Sequence, residues 1–341
     1  MNHFAIETWL QVLKLACTDG GYTGRSLSLV CRKMRDIVEP IRFQTVSLVD
    51  AKKLKAFVRI IDARNMSASI HHLLIFTNPR TEGDDKGRPI SVDYPEEQRR
   101  VAELRQIIDK LLSVAAPHVR TLVIQEFRYH LLSSDFTFPV LHDLTIDEAD
   151  FDSLPDRSHF PSLRRLHVSS YSAVRERDFW SALAHFAPAL THLSLSGVSQ
   201  DTEISSYLRV LLRIPAGKWP DNLVILGADS EYGADICPAD DGDSEAAAVA
   251  ERLPVLRHVV VQPLDYQNQY DGWCGTGRLK HAVMMKGLRS IAEASARGEG
   301  VGKLRLMPEG LEYAFGDAWE DWRDLMDGGV GPWASGHEGN M

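Results

Sequence analysis

An apolar residue at the first, fourth and sixth positions recurs in eight short segments, and this repeat constrains the fold of the 341-residue chain more than any other feature. The segments are Phe43-Val46-Leu48, Ile70-Leu73-Ile75, Val119-Leu122-Ile124, Leu141-Leu144-Ile146, Leu163-Leu166-Val168, Leu190-Leu193-Leu195, Leu256-Val259-Val261 and Val301-Leu304-Leu306. Proline stands two residues ahead of five of them, at Pro117, Pro139, Pro161, Pro188 and Pro254. Their central residues are separated by 27, 49, 22, 22, 27, 66 and 45 positions. The gap of 66 is close to two repeats of 33, and Leu223-Val224-Ile225-Leu226, after Pro220, is expected to supply a strand near its midpoint. Residues two apart in a strand share one face, so the fourth and sixth positions define a core side.

Between these segments lie stretches with helical spacing, including 95–115, 174–186 with Phe179, Leu183 and Phe186, 204–214 with Tyr207, Leu208, Leu211 and Leu212, and 278–296 with Met284, Leu288 and Ile291. A strand that returns to the same face through a crossover pairs in parallel. The expected fold class is therefore α/β with a parallel sheet, arranged as an irregular solenoid similar to leucine-rich repeats. Phe127, Ala149, Tyr171 and Val198 stand where regular leucine-rich repeats place Asn or Cys, so no asparagine ladder is expected. Loops are expected over 77–94 and 227–247, both rich in charge or in Gly and Pro.

The remaining strand positions point away from the core and form a candidate target-binding face: Asp143, Thr145, Arg165, His167, His192, Ser194 and His258. Neighbouring outward positions include Thr121, Val123 and Gln125. Arg165, His167, His192 and His258 are expected to make one partly basic strip.

The first 48 residues follow a different rule. On a helix from Phe4 to Cys17, only Glu7, Gln11, Lys14 and Thr18 fall on a polar stripe, and the rest of the circumference is apolar apart from Thr8. Such a helix needs cover on two sides. Gly20-Gly21 breaks it, and Leu27, Val30, Met34 and Ile37 continue at helical spacing up to Pro40. Phe4-Ala5-x-Glu7-x-Trp9-Leu10-x-Val12-Leu13-x-Leu15-Ala16 resembles the opening of an F-box, and Leu27-x-Leu29-Val30-Cys31-Arg32-x-Met34-Arg35-x-Ile37 with Pro40 and Phe43 is similar to its closing helices. Phe4 and Ala5 depart from the usual Leu-Pro of that family. With the repeat and the spacing of the last tryptophans, the resemblance gives three expected domains: an F-box-like helical domain over 1–48, a leucine-rich-repeat-like solenoid over 49–308, and an acidic, tryptophan-bearing cap and tail over 309–341.

Its functional implication is a substrate-recognition subunit of a Skp-cullin-F-box ubiquitin ligase, docking on the Skp adaptor, and through it a cullin, while the solenoid holds a target protein. The implied adaptor-binding residues are Phe4, Ala5, Trp9, Val12, Leu29, Val30 and Met34. Such a subunit carries no catalytic group and calls for no cofactor. The alternative is a repeat scaffold whose first helices only cap the solenoid.

Composition closes off other classes. The net charge is -9, with ten Lys and Arg against five Asp and Glu in residues 1–60, seven acids and no base from Asp229 to Glu245, and eight acids against Arg323 alone from Glu309 onward. This balance does not favour nucleic acid, which asks for a basic stripe with interleaved aromatics. No apolar run reaches the length of a membrane span, and the N-terminus lacks the features of a signal peptide, so cytosol or nucleus is expected. Cysteines at 17, 31, 237 and 274 form no CxxC pair. His71 and His72 are expected on opposite faces of a strand, where they cannot share one metal. No GxGxxG, GxxxxGK[ST] or GxSxG motif is present. Phe315, Trp319, Trp322 and Met326 recur at helical spacing, and their expected burial site is the C-terminal end of the solenoid.

Overall fold

A computed structural model describes residues 5–64, 70–77, 94–125, 136–146, 159–169, 176–199, 203–215, 241–265, 276–310 and 313–333. The fold is α/β, and its paired strands are parallel throughout. The chain divides into two compact units. One comprises residues 1–147 together with 314–341, and the other residues 148–313.

The first unit opens with three helices, α1 (Ile6–Ala16), α2 (Tyr22–Val30) and α3 (Arg32–Val38). Gly20 and Gly21 carry φ of +73° and +96° between α1 and α2, a left-handed turn that side chains with a Cβ rarely adopt. The Asp19 carboxylate then accepts from Thr23 N at 3.0 and 2.9 Å and from Thr23 Oγ1 at 2.6 Å, holding the start of α2. Cys31 serves α3 in the same way, its Sγ accepting from Met34 N at 3.4 Å. Leu13, Cys17, Met34, Ile37, Val38 and Ile41 fill the space between the helices, with Trp9, Leu10 and Leu27 packed around them.

Four strands follow: β1 (Thr45–Val49), β2 (His72–Phe76), β3 (Thr121–Gln125) and β4 (Asp143–Ile146). They stand side by side in sequence order, with α4 (Ala51–Arg64) and α5 (Tyr94–Ala115) as returns. The central residues Val46, Leu73, Leu122 and Leu144 lie directly opposite one another, as the repeat requires. All four are buried, as are Leu48, Ile75, Ile124 and Ile146 two residues on. Each such side chain stabilises the fold by roughly 1.5–3 kcal/mol.

The second unit repeats the plan with β5 (Arg165–Val168), α6 (Glu176–Phe186), β6 (His192–Val198), α7 (Ile204–Leu211), α8 (Asp241–Arg252), β7 (His258–Pro263), α9 (Thr276–Ala296) and β8 (Lys303–Leu306). Leu166, Leu193, Val259 and Leu304 make its central row. Phe179, Leu183, Phe186, Tyr207, Leu208, Leu211, Met284, Leu288 and Ile291 are buried on the helices, which is the reason for their spacing. Trp180 stacks on Tyr207 with ring centroids 5.5 Å apart.

Three expectations from the sequence are corrected. β6 pairs directly with β7, His192 opposite His258, so no strand stands between them at the midpoint of the long gap; residues 216–240 lie outside the described residues. The acidic loop ends earlier than expected, because Asp241 already begins α8, whose Ala246 and Val249 are buried, as is Leu253 just after it. The tryptophan helix, α10 (Phe315–Met326), belongs to the first unit and not to the end of the repeats. Trp322 is buried with Leu74 and Val123, and Val49, Phe76, Trp319 and Met326 pack around that cluster. Leu74 and Val123 are apolar at outward strand positions and require a cover, which α10 supplies. The indole also reaches the hinge after α1, since a Cβ added to Gly20 would lie 3.6 Å from Trp322 Cη2.

Candidate functional site

Two surfaces hold the residues singled out above, one in each unit. In the three-helix portion, the core already listed is complete, yet apolar side chains remain open to solvent: Val12 is 51% exposed, Leu15 80%, Leu29 71% and Val30 63%. The 3.6-residue period explains the arrangement on α1. Trp9, Leu10, Leu13 and Cys17 turn inward, Glu7, Gln11 and Lys14 form a polar stripe, and Ala5, Thr8, Val12 and Leu15 form a third side at steps of three and four. Ala5 is the residue before the first turn of α1 and is exposed, while Trp9 is half-buried against the core. Phe4 lies outside the described residues.

Met34 departs from its expected role. It is 3% exposed and packs in the helical core, so no partner can reach it without unfolding the unit. Leu15, Tyr22 and Ile6 are absent from the expected contacts and are exposed as well, Leu15 and Tyr22 more than Val12, Leu29 or Val30. The signal for Leu15 was its step of three from Val12.

On the second unit, Arg165, His192, His258 and Lys303 lie opposite one another across β5 to β8. The rings of His192 and His258 stack with centroids 4.6 Å apart and an interplanar angle of 17°. Thr191 Oγ1 donates to the Arg164 carbonyl at 2.9 Å and lies 2.8 Å from His192 Nδ1. A hydroxyl has one proton to give, so in the neutral ring Nδ1 carries the N–H.

The next row behaves differently from the expectation of an open face. His167, Ser194 and Thr145 are buried and cannot form part of an exposed target-binding strip. His167 Nε2 lies 2.9 Å from Ser196 Oγ, and the ring meets Tyr313 edge-on at 4.3 Å. Burial pushes its pKa down to about 3, so the ring is neutral at physiological pH and contributes no charge. Asp143, at the first-unit end of the expected strip, is half-buried. In the first unit, His72 sits 3.1 Å from Thr121 Oγ1, and burial, reinforced by the nearby His71 and Arg120, lowers its pKa to about 4. The ring of His71 is nearly perpendicular to that of His72, with centroids 6.4 Å apart.

Among the described residues no group of three His, Cys, Asp or Glu is placed to hold a metal ion, and no helix is long and apolar enough to cross a membrane. No family model, curated protein or solved structure matches the chain.

Proposed function

We propose that the chain is a substrate-recognition subunit of a Skp-cullin-F-box ubiquitin ligase, its first three helices docking on the Skp adaptor and its repeats, an irregular leucine-rich-repeat-like solenoid, holding a target protein. The observation that carries this reading is the exposed set Val12, Leu15, Leu29 and Val30 on a helical unit whose own core is already filled. Apolar side chains at this exposure fit the buried centre of a helix interface. The chain supplies no reacting group on this reading. It raises the effective concentration of a target lysine near a ubiquitin-charged enzyme held elsewhere in the assembly.

The scaffold alternative requires Trp9, Leu10 and Val12 to be covered by the first strand. Instead Trp9 and Leu10 pack on the helices' own cluster, and Val12 faces solvent. That difference favours docking.

The test is recovery of the Skp adaptor by the full chain and by the Val12→Asp, Val30→Asp double variant. Both positions are exposed, so the variant is expected to keep the fold and its urea midpoint. The wild-type chain is expected to recover the adaptor and the variant to lose at least tenfold. A folded wild-type chain that recovers no adaptor overturns the proposal.

A further inference from the structure

The start of the second unit's sheet is a line of cations set on an acidic molecule. The β5 to β8 strands and the residue immediately ahead of each contain Arg164, Arg165, Arg257, Lys303 and Arg305, with His192 and His258, and no Asp or Glu, in a chain of net charge -9. Backbone hydrogen bonds fix them in sequence along the rim. His192 N donates to the Arg164 carbonyl at 2.9 Å, Arg257 N to the Thr191 carbonyl at 2.9 Å, and Lys303 N to the Arg257 carbonyl at 2.7 Å. Arg164, Arg257, His258 and Lys303 are exposed, and among the described residues none of these four makes an ion pair.

We infer that this rim, from Arg164 to Lys303, is the docking site for an acidic segment of a partner protein, a run of Asp and Glu lying across the strands. Charge complementarity names the occupant. The cations are spread along a line, not gathered in a pocket: strands about 4.8 Å apart put roughly 14 Å between the first and last of four neighbours. That length matches some four or five extended residues, and it exceeds what one phosphate group can span. The two imidazoles face each other and so offer no free ring surface between them for a base to stack on, as single-stranded nucleic acid would require. Contacts of this kind act in water, so they set the on-rate and the choice of partner and weaken as salt rises.

This deepens the target-binding reading by naming the ligand's chemistry, and it rests on that reading only for the partner's identity as a degradation target. The experiment needs no adaptor. A fluorescent ten-residue peptide of alternating Glu and Gly, and its Gln counterpart, are titrated by anisotropy against the full chain at 50 and 300 mM NaCl. The Glu peptide is expected to bind at least tenfold more tightly than the Gln peptide at low salt, and to lose most of that advantage at high salt. Arg257→Glu with Lys303→Glu is expected to remove at least tenfold of the affinity. Lys286→Glu with Arg252→Glu, exposed on the helices of the same unit and equal in charge change, is expected to alter it less than twofold. If the rim variant fails to fold, Arg257→Gln with Lys303→Gln is compared with Lys286→Gln and Arg252→Gln, again equal in charge change.

Equal losses from the rim and control pairs overturn the inference, as does equal binding of the Glu and Gln peptides. Displacement by low millimolar inorganic phosphate, or tighter binding of a ten-nucleotide single strand, assigns the rim to a different ligand class and also overturns it. Adaptor recovery is read separately, so either proposal can fail while the other stands.

Discussion

In the first unit the fifth repeat position carries Leu74 on β2 and Val123 on β3; in the second the same position carries His167 on β5 and Ser194 on β6. The backbone is the same parallel ladder in both. The apolar pair has recruited α10, whose Trp322 is buried against it. The polar pair is internally satisfied in part by the His167 to Ser196 contact, and the row ahead of it is exposed at His258 and at the cationic Lys303. The first pair is therefore covered by α10, whereas in the second unit His167 and Ser194 are buried and the neighbouring Arg257, His258 and Lys303 stay exposed.

The strongest way to break this contrast is to remove the cover. Trp322→Ala should cost about 3–5 kcal/mol in the first unit, through lost burial and the cavity left behind. Trp322→Phe should cost much less, because the ring contact is largely kept and the indole Nε1, which has no hydrogen-bond partner among the described residues, is removed. Urea unfolding followed by circular dichroism measures both. A loss below about 1 kcal/mol for the alanine variant would mean that α10 does not hold this face.

Acid should reach both units by a smaller effect. His167 is neutral in the folded chain down to about pH 3, whereas an unfolded histidine binds its proton near 6.5. Between those values the unfolded chain holds more protons, so stability falls as pH drops, by at most about 1.4 kcal/mol per pH unit. His167→Gln should flatten urea midpoints between pH 6 and 4 by close to one proton's worth. His72→Gln should do less, because that ring is less deeply buried and its pKa lies at about 4. Equal slopes in wild type and His167→Gln would show that His167 titrates normally.

The smallest effect is expected at the rim. Arg257→Glu with Lys303→Glu should shift the urea midpoint by no more than about 0.5 kcal/mol equivalent, since exposed charges contribute little to folding. A loss comparable with Trp322→Ala would make the rim structural and erase the contrast between the two faces.

Much of this architecture could be read from the repeat alone. The 1-4-6 pattern located the eight strands of the described residues and their buried fourth-position row, because a parallel strand with one covered face leaves a strict signature at alternate positions; in the last segment Val301 is exposed and Leu306 only half-buried. It also fixed α6, α7 and α9 within a few residues. What it missed was long-range. Alternation points Val123 outward, but nothing local states which distant segment will cover it. Tryptophans at 319 and 322 announced a need for burial without an address. Met34 and Val30 share an apolar character, and only the assembled helices separate the one that fills the core from the one left outside. His167 looked like its row neighbour His192 by alternation, yet it is the ring packed beside Tyr313.

The placement of Trp322 also sets a timetable for synthesis. Its partners Leu74 and Val123 are translated early, and 199 positions separate Val123 from the indole that covers it. At roughly 5–20 residues per second the ribosome takes on the order of ten to forty seconds to cross that interval. Throughout it an apolar strip of the nascent chain waits uncovered, a natural landing place for a chaperone. A message cut short before residue 322 would leave the strip exposed for good, so incomplete copies would advertise themselves for removal.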